Sequence, residues 1–212
     1  GTYMPGLKAL TDRVSETIRP RAVAFYTASF GIGGSLSFLI AGEAAAAWSW
    51  QGAFAVAALG TPIAMALAAW AMTARRGVVH PKPKTHLLDF RPVFRNREAM
   101  AYILAYTAHN FELFGFRGWL VAFLVFSLTL QTGDVVWNVT LIVTMVTLLA
   151  VPASIIGGEL AQRYGRRRMV TLLMTGSAMT AVLFGFASAL PYPLVVAIAV
   201  VYGMFISADS AA

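Results

Sequence analysis

The chain has 212 residues, of which 58% are hydrophobic and only 12% are charged. Soluble domains carry about a quarter charged residues, so this composition excludes a water-soluble globule. The net charge of +7 falls in loops rather than along one face, which argues against nucleic acid as a partner.

The apolar residues come in runs of about 20, the length of a membrane-crossing helix. The short alternating segments of a membrane β-barrel are not seen. The fold class is therefore all-α, a polytopic membrane helical bundle. There is no cysteine, so disulfides are excluded.

In chain order, 1–10 reads as the end of a helix whose start is missing, and 11–21 as a charged loop. The first complete span is 22–47. Small residues recur along it, with Ala24, Ala28, Gly31 and Ser35 on one line and Gly33 and Ser37 on another. Small residues one turn apart let membrane helices pack closely. Trp48 and Trp50 mark an interfacial turn. The next span is 52–73, with Pro62 as a kink point.

The polar, basic stretch 75–98 contains Pro81, Pro83 and Pro92, which argue against one continuous helix. It is the expected linker between two halves, dividing the chain into 1–74, 75–99 and 100–212. The third span, 100–130, is too long for a core of about 30 Å at about 1.5 Å per residue, and Gly115 and Gly118 are its expected break points. Runs at 135–156, 169–190 and 194–209 complete the set. The stretch GGELAQRYGRRR, 157–168, is expected as a short basic loop between the first two of these. Pro191 and Pro193 mark a turn before the last. The chain starts without Met and stops inside an apolar run, as expected of an internal piece of a longer protein.

Charge alternates from loop to loop. The connections at 8–21, 75–97 and 163–168 hold four, seven and four Lys or Arg, 15 of the 16 in the chain. The connections at 48–51, 131–134 and 190–193 hold none. By the positive-inside rule the basic loops are expected in the cytoplasm.

Ionisable residues inside spans are costly and mark function. His109, Glu112 and Arg117 share the run 100–130, Glu43 lies near the outer end of its span, and Asp209 lies late in the last one. His109 and Glu112 are three residues apart, hence neighbours on one helical face. They fall about 14 and 18 Å along the axis from Met100, bracketing the middle of the bilayer. A His and a Glu at that depth suit proton uptake and release near neutral pH. Arg117 is expected either as the counter-charge of Glu112 or as an anion ligand, and a direct pair needs a kink near Gly115. Asp209, with Ser207 and Ser210 beside it, is expected either in the same cavity or solvated at the cytoplasmic end. Glu43 reads as an interfacial carboxylate, and Asn110 and Asn138 either as substrate ligands or as hydrogen-bond links to neighbouring helices. No metal-ligand cluster and no phosphate-binding loop followed by Lys-Ser/Thr are found, and no cofactor is expected.

The loop residues Gly158, Arg163, Gly165, Arg166 and Arg167 resemble the loop motif of the major facilitator superfamily of secondary transporters, with Gln162 where the family has Asp. The Gly-rich run GIGGSLSFLIAG is similar to the family's fifth helix but lacks the Gly-Pro pair of the antiporters. The resemblance implies a twelve-helix fold of two six-helix halves, here from the end of helix four through most of helix ten. It places His109 and Glu112 on cavity-lining helix seven and Asp209 on helix ten. It also gives the loop Gly158, Gln162, Arg163, Gly165, Arg166 and Arg167 a conformational gating role.

The expected activity is transport of a small solute by alternating access, as symport or antiport with protons, and not enzymatic catalysis. The expected location is a bacterial-type plasma membrane. The alternatives are a transporter-like sensor or scaffold without solute flux, and an intramembrane enzyme, for which the paired catalytic residues are not found.

Overall fold

With no water in the bilayer to satisfy the peptide groups, an apolar run that enters it must close its hydrogen bonds internally, and a helix does so within one segment. The structure, a computed structural model, describes residues 3–71, 89–132 and 137–209, the side chains of Pro20, Ala24 and Asp209 excepted. Every regular element among them is helical: α1 (Tyr3–Thr11), α2 (Arg19–Ala47), α3 (Trp50–Ala71), α4 (Arg91–Arg95), α5 (Arg97–Thr129), α6 (Val139–Tyr164), α7 (Arg166–Gly185) and α8 (Tyr192–Asp209). Helices α2, α3, α5, α6 and α7 are long and apolar enough to cross a membrane, and α8 contributes a shorter apolar helix, Tyr192–Ala208.

Local chemistry sets the ends. The Asn96 side chain accepts from the backbone N–H groups of Glu98 and Ala99, both at 3.1 Å, and so starts α5. Asn138 accepts from the Leu141 N–H at 3.0 Å and starts α6. Both Asn side chains satisfy donors that the first helical turn leaves open. Asn138 is thus a cap rather than a link between helices. Asn110 bonds the Tyr106 carbonyl of its own helix at 2.8 Å.

Several expected boundaries are corrected. The stretch 157–168 is not a loop, because α6 continues to Tyr164 and α7 starts at Arg166. Glu159, Leu160, Ala161 and Gln162 are good helix formers, and buried Ala161 holds them against the bundle. The whole connection is Gly165, at φ 93°, a conformation that glycine adopts without steric cost. Its N–H donates to the Ala161 carbonyl and its carbonyl accepts from the Met169 N–H, both at 3.1 Å.

Nor does α5 break at Gly115 or Gly118. It runs as one helix, since an opened backbone in lipid costs more than the weak helix preference of glycine. The expected charged loop before α2 is shortened, because α2 begins at Arg19 with Pro20 in its first turn, where proline loses no hydrogen bond. Trp50 opens α3 rather than lying in a turn, and α7 stops at Gly185. Of the expected linker, α4 and its flanks are seen, and the rest, 75–88, lies outside the described residues.

The centre of the bundle is α8. Its buried residues Tyr192, Val195, Ala199, Tyr202 and Ile206 recur every three or four positions, a stripe along one helical face. They meet Phe116, Leu120 and Leu124 of α5, Val143 and Val146 of α6 and Phe184 of α7 in one apolar cluster. Lipid is as apolar as these side chains, so close packing rather than water exclusion holds them together. The tightest approach is α6 to α8, where a Cβ on Gly157 would overlap the Ala208 backbone.

Helix α2 packs antiparallel on α6. A Cβ on Gly31 would press on Val151, and one on Gly42 on Thr140. The line through Gly31 and buried Ser35 is therefore a packing face, whereas Gly33 and Gly34 face open space. Helix α1 ties to α2 through Tyr26, whose hydroxyl donates to the Tyr3 carbonyl at 2.9 Å. Helix α3 rests on α2 alone among the described helices.

One end of the bundle collects the connections without Lys or Arg. Gln131 donates to the Leu190 carbonyl at 3.0 Å and accepts from the Tyr192 N–H at 3.2 Å. Ser127 donates to the Ser188 carbonyl at 2.8 Å, and Trp137 lies 5.6 Å from the Tyr192 ring. The contact of Gly42 with Thr140 brings the end of α2 to the same side. The opposite end carries Arg163 and Arg166 to Arg168, all exposed.

Candidate polar site at mid-membrane

Glu112 is one residue from the middle of α5. Its carboxylate accepts from the Ser177 hydroxyl of α7 at 2.6 Å. The Tyr202 hydroxyl of α8 faces the same carboxyl group. Ser177 and Tyr202 also lie within two residues of the middle of their helices. One carboxylate thus joins three helices halfway along their length. Ser177 is fully buried and Tyr202 nearly so, while Glu112 is half-buried. Below the carboxylate, Phe116 packs edge-on against Tyr202 with ring centres 4.7 Å apart and against Phe184 at 6.0 Å. The aromatic floor fixes the Tyr202 ring and so its hydroxyl.

His109 lies on α5, buried, its ring stacked on Tyr106 at 6.4 Å. Arg117 does not pair with Glu112. The ion pairs among the described residues are Lys8–Asp12 and Glu16–Arg19, both on the surface. With α5 unbroken at Gly115, the two side chains point to different sides of the helix, which corrects the expectation of a counter-charge. The Arg117 guanidinium lies instead 5.2 Å from the centre of the Phe30 ring of α2, a cation over an aromatic face. Arg117 also borders a cavity of about 10 Å³ between α5, α6 and α8.

The remaining expected residues lie away from this centre. Asp209 is the last residue of α8, and its side chain and Ser210 are outside what is described. Glu43 is exposed on the last turns of α2. Gly158, Gln162 and Arg163 are on the final turns of α6, while Gly165, Arg166 and Arg167 form the break and the first turn of α7. The close contact in that motif is made by Gly157, the neighbour of the matched glycine. Among the described residues no group of three His, Asp or Glu is arranged to hold a metal.

Sequence reasoning missed Ser177 and Tyr202. Both are single polar groups in apolar runs, and neither carries a charge that would have marked it.

Searches of curated proteins and of solved structures returned no match. The model of the Major Facilitator Superfamily matches residues 1–210. Taken with a bundle of apolar helices crossed by one polar layer, a match over nearly the whole chain decides the assignment: this is an integral, multi-pass membrane protein, and it belongs to the Major Facilitator Superfamily of membrane transporters.

Proposed function

We propose that the chain is part of a secondary transporter that moves a small solute by alternating access, driven by protons, with Glu112 as the proton-carrying group. The observation that carries this reading is the bridge from Glu112 to Ser177 and Tyr202 at mid-membrane. As a carboxylate, Glu112 accepts from the Ser177 hydroxyl and faces that of Tyr202. Protonation turns one of its oxygens into a donor and leaves one hydroxyl to find another acceptor. The proton therefore acts on the tie between α5 and its neighbours α7 and α8, and packed helices respond to such a change by shifting between discrete arrangements.

His109, between Glu112 and the basic end of α5, is the proposed relay to that side, with Asp209 at the same end of α8. The halves 1–74 and 100–212 are the bodies that move, joined by the linker 75–99. Residues Gly158 to Arg167 act at the gate, where Gly165 is the single pivot between α6 and α7. The basic end faces the cytoplasm of a bacterial-type cell, because positively charged loops stay on that side.

The test uses the full-length protein in liposomes loaded with a pH-sensitive dye. A solute library is expected to contain a compound whose addition moves protons, and Glu112→Gln is expected to abolish that movement while solute exchange persists. Unchanged proton movement in Glu112→Gln sinks the coupling role. A folded wild-type protein that moves no solute supports a sensor or scaffold instead.

A further inference from the structure

Arg117 is the one Lys or Arg of this chain that lies outside the three basic connections. A guanidinium within a span is expensive to hold away from water. Such a charge is normally matched by an acid, yet no carboxylate among the described residues forms an ion pair with Arg117. Its contact is the Phe30 ring of α2, at 5.2 Å. That contact crosses between the proposed halves, since α2 belongs to the first and α5 to the second.

Arg117 shares the lining of the small cavity with Thr147 of α6 and Ser207 of α8, together with Phe116, Ala150 and Gly203. Both hydroxyls donate to carbonyls of their own helices, Thr147 to Val143 at 2.8 Å and Ser207 to Gly203 at 2.7 Å. Such back-bonds are local and are readily exchanged for another acceptor.

We infer that Arg117 is the substrate-binding cation of this transporter, and that its ligand is a small organic anion bearing a carboxylate or phosphate. Thr147 and Ser207 supply hydroxyl donors to the same group. The inference rests on the transporter reading above and names the class of solute that the reading leaves open.

In the present state the cavity of about 10 Å³ holds at most one water. The anion therefore enters only when the helices around the cavity part, and it then takes Arg117 from the Phe30 ring. Phe30 holds the cation while the site is empty, at a modest cation–π strength, and the anion replaces it with charge-assisted hydrogen bonds. Glu112 faces α7 and α8 on a different side of α5, so the proton and the anion occupy separate places on one helix. That separation suits a proton carried together with a negatively charged solute.

The experiment measures thermal stabilisation of the full-length protein in detergent, at constant ionic strength, by lactate, citrate, glycerol phosphate and inorganic phosphate, with glycerol, glucose and choline as neutral and cationic controls. At least one anion is expected to stabilise saturably. Its dissociation constant is expected to rise about 10- to 100-fold in Arg117→Gln, the worth of a lost charge-assisted hydrogen bond, and less in Arg117→Lys. Arg117→Gln removes a charge from a span, so it should fold at least as well as the parent, and Thr147→Val provides a second, uncharged probe with a smaller loss.

Equal anion affinity in Arg117→Gln overturns the inference, as does a panel in which only neutral or cationic solutes stabilise. A neutral solute that drives proton movement would sink the anion assignment and leave the transporter reading standing. Arg117-dependent anion binding without flux would do the reverse.

Discussion

Glu112 owes its position to two hydroxyls on other helices. The Ser177 donor, at 2.6 Å, sits in a fully buried environment with no water to replace it. Ser177→Ala is expected to destabilise the protein by about 1 kcal/mol, within the measured range for hydrogen bonds between membrane helices, and to lower the thermal midpoint in detergent. Ser177→Thr keeps the donor and should stay close to the parent. Tyr202→Phe tests the second donor. Because it also sits on the Phe116 and Phe184 rings, the ring packing should survive and only the polar tie should be lost. If neither substitution alters stability or the pH profile of flux, the bridge has no role. At Gly165, φ 93° is a region that side chains avoid. Gly165→Ala should cost at least about 1 kcal/mol and disturb the start of α7, measurable as faster proteolysis between α6 and α7.

At the scale of elements, glycine decides which helices touch. A Cβ at Gly157 meets the Ala208 backbone, which cannot rotate away. Gly157→Val should therefore push α6 from α8 and leave little monodisperse protein in size-exclusion chromatography, well beyond the 1–3 kcal/mol typical of overpacking. Between α2 and α6 the obstructions are the side chains of Val151 and Thr140, which yield more readily. Gly31→Leu and Gly42→Leu should each cost about 1–3 kcal/mol. At Gly33, where nothing lies within 4 Å, Gly33→Leu should change stability by no more than about 0.5 kcal/mol. Equal losses at Gly31 and Gly33 would remove the α2–α6 face from this account.

For the whole molecule, the polar ties of α5 to α7 and α8 come at two depths. One is Glu112, halfway along α5, and the other is the set Ser127, Gln131, Ser188 and Leu190 at the end without Lys or Arg. These three helices are expected to move as one body, so a disulfide between Gln131→Cys and Leu190→Cys should leave flux intact. Orientation has its own check. Single cysteines at Arg167 and Ser49 should react with impermeant maleimide from opposite sides of the membrane, Arg167→Cys from the cytoplasm. Labelling of both from one side would contradict the charge-based topology.

Read alone, the residues determined the environment and the class. Twenty-residue apolar runs, a low charged fraction and basic residues gathered, Arg117 apart, in alternate connections depend only on local composition, because the bilayer imposes its length and its intolerance of charge on each segment separately. Spacing of small residues marked the α2 face for the same reason. The stretch 157–168 was misjudged as a loop because polarity at a helix end shows where lipid stops, not where the helix stops. Which hydroxyls meet Glu112, and whether Arg117 pairs with it, are facts about distant segments and the rotation of α5, and periodicity carries no information on either. Only the packing of α5, α7 and α8 brought Ser177 and Tyr202 to Glu112, and only the continuity of α5 through Gly115 turned Arg117 toward Phe30.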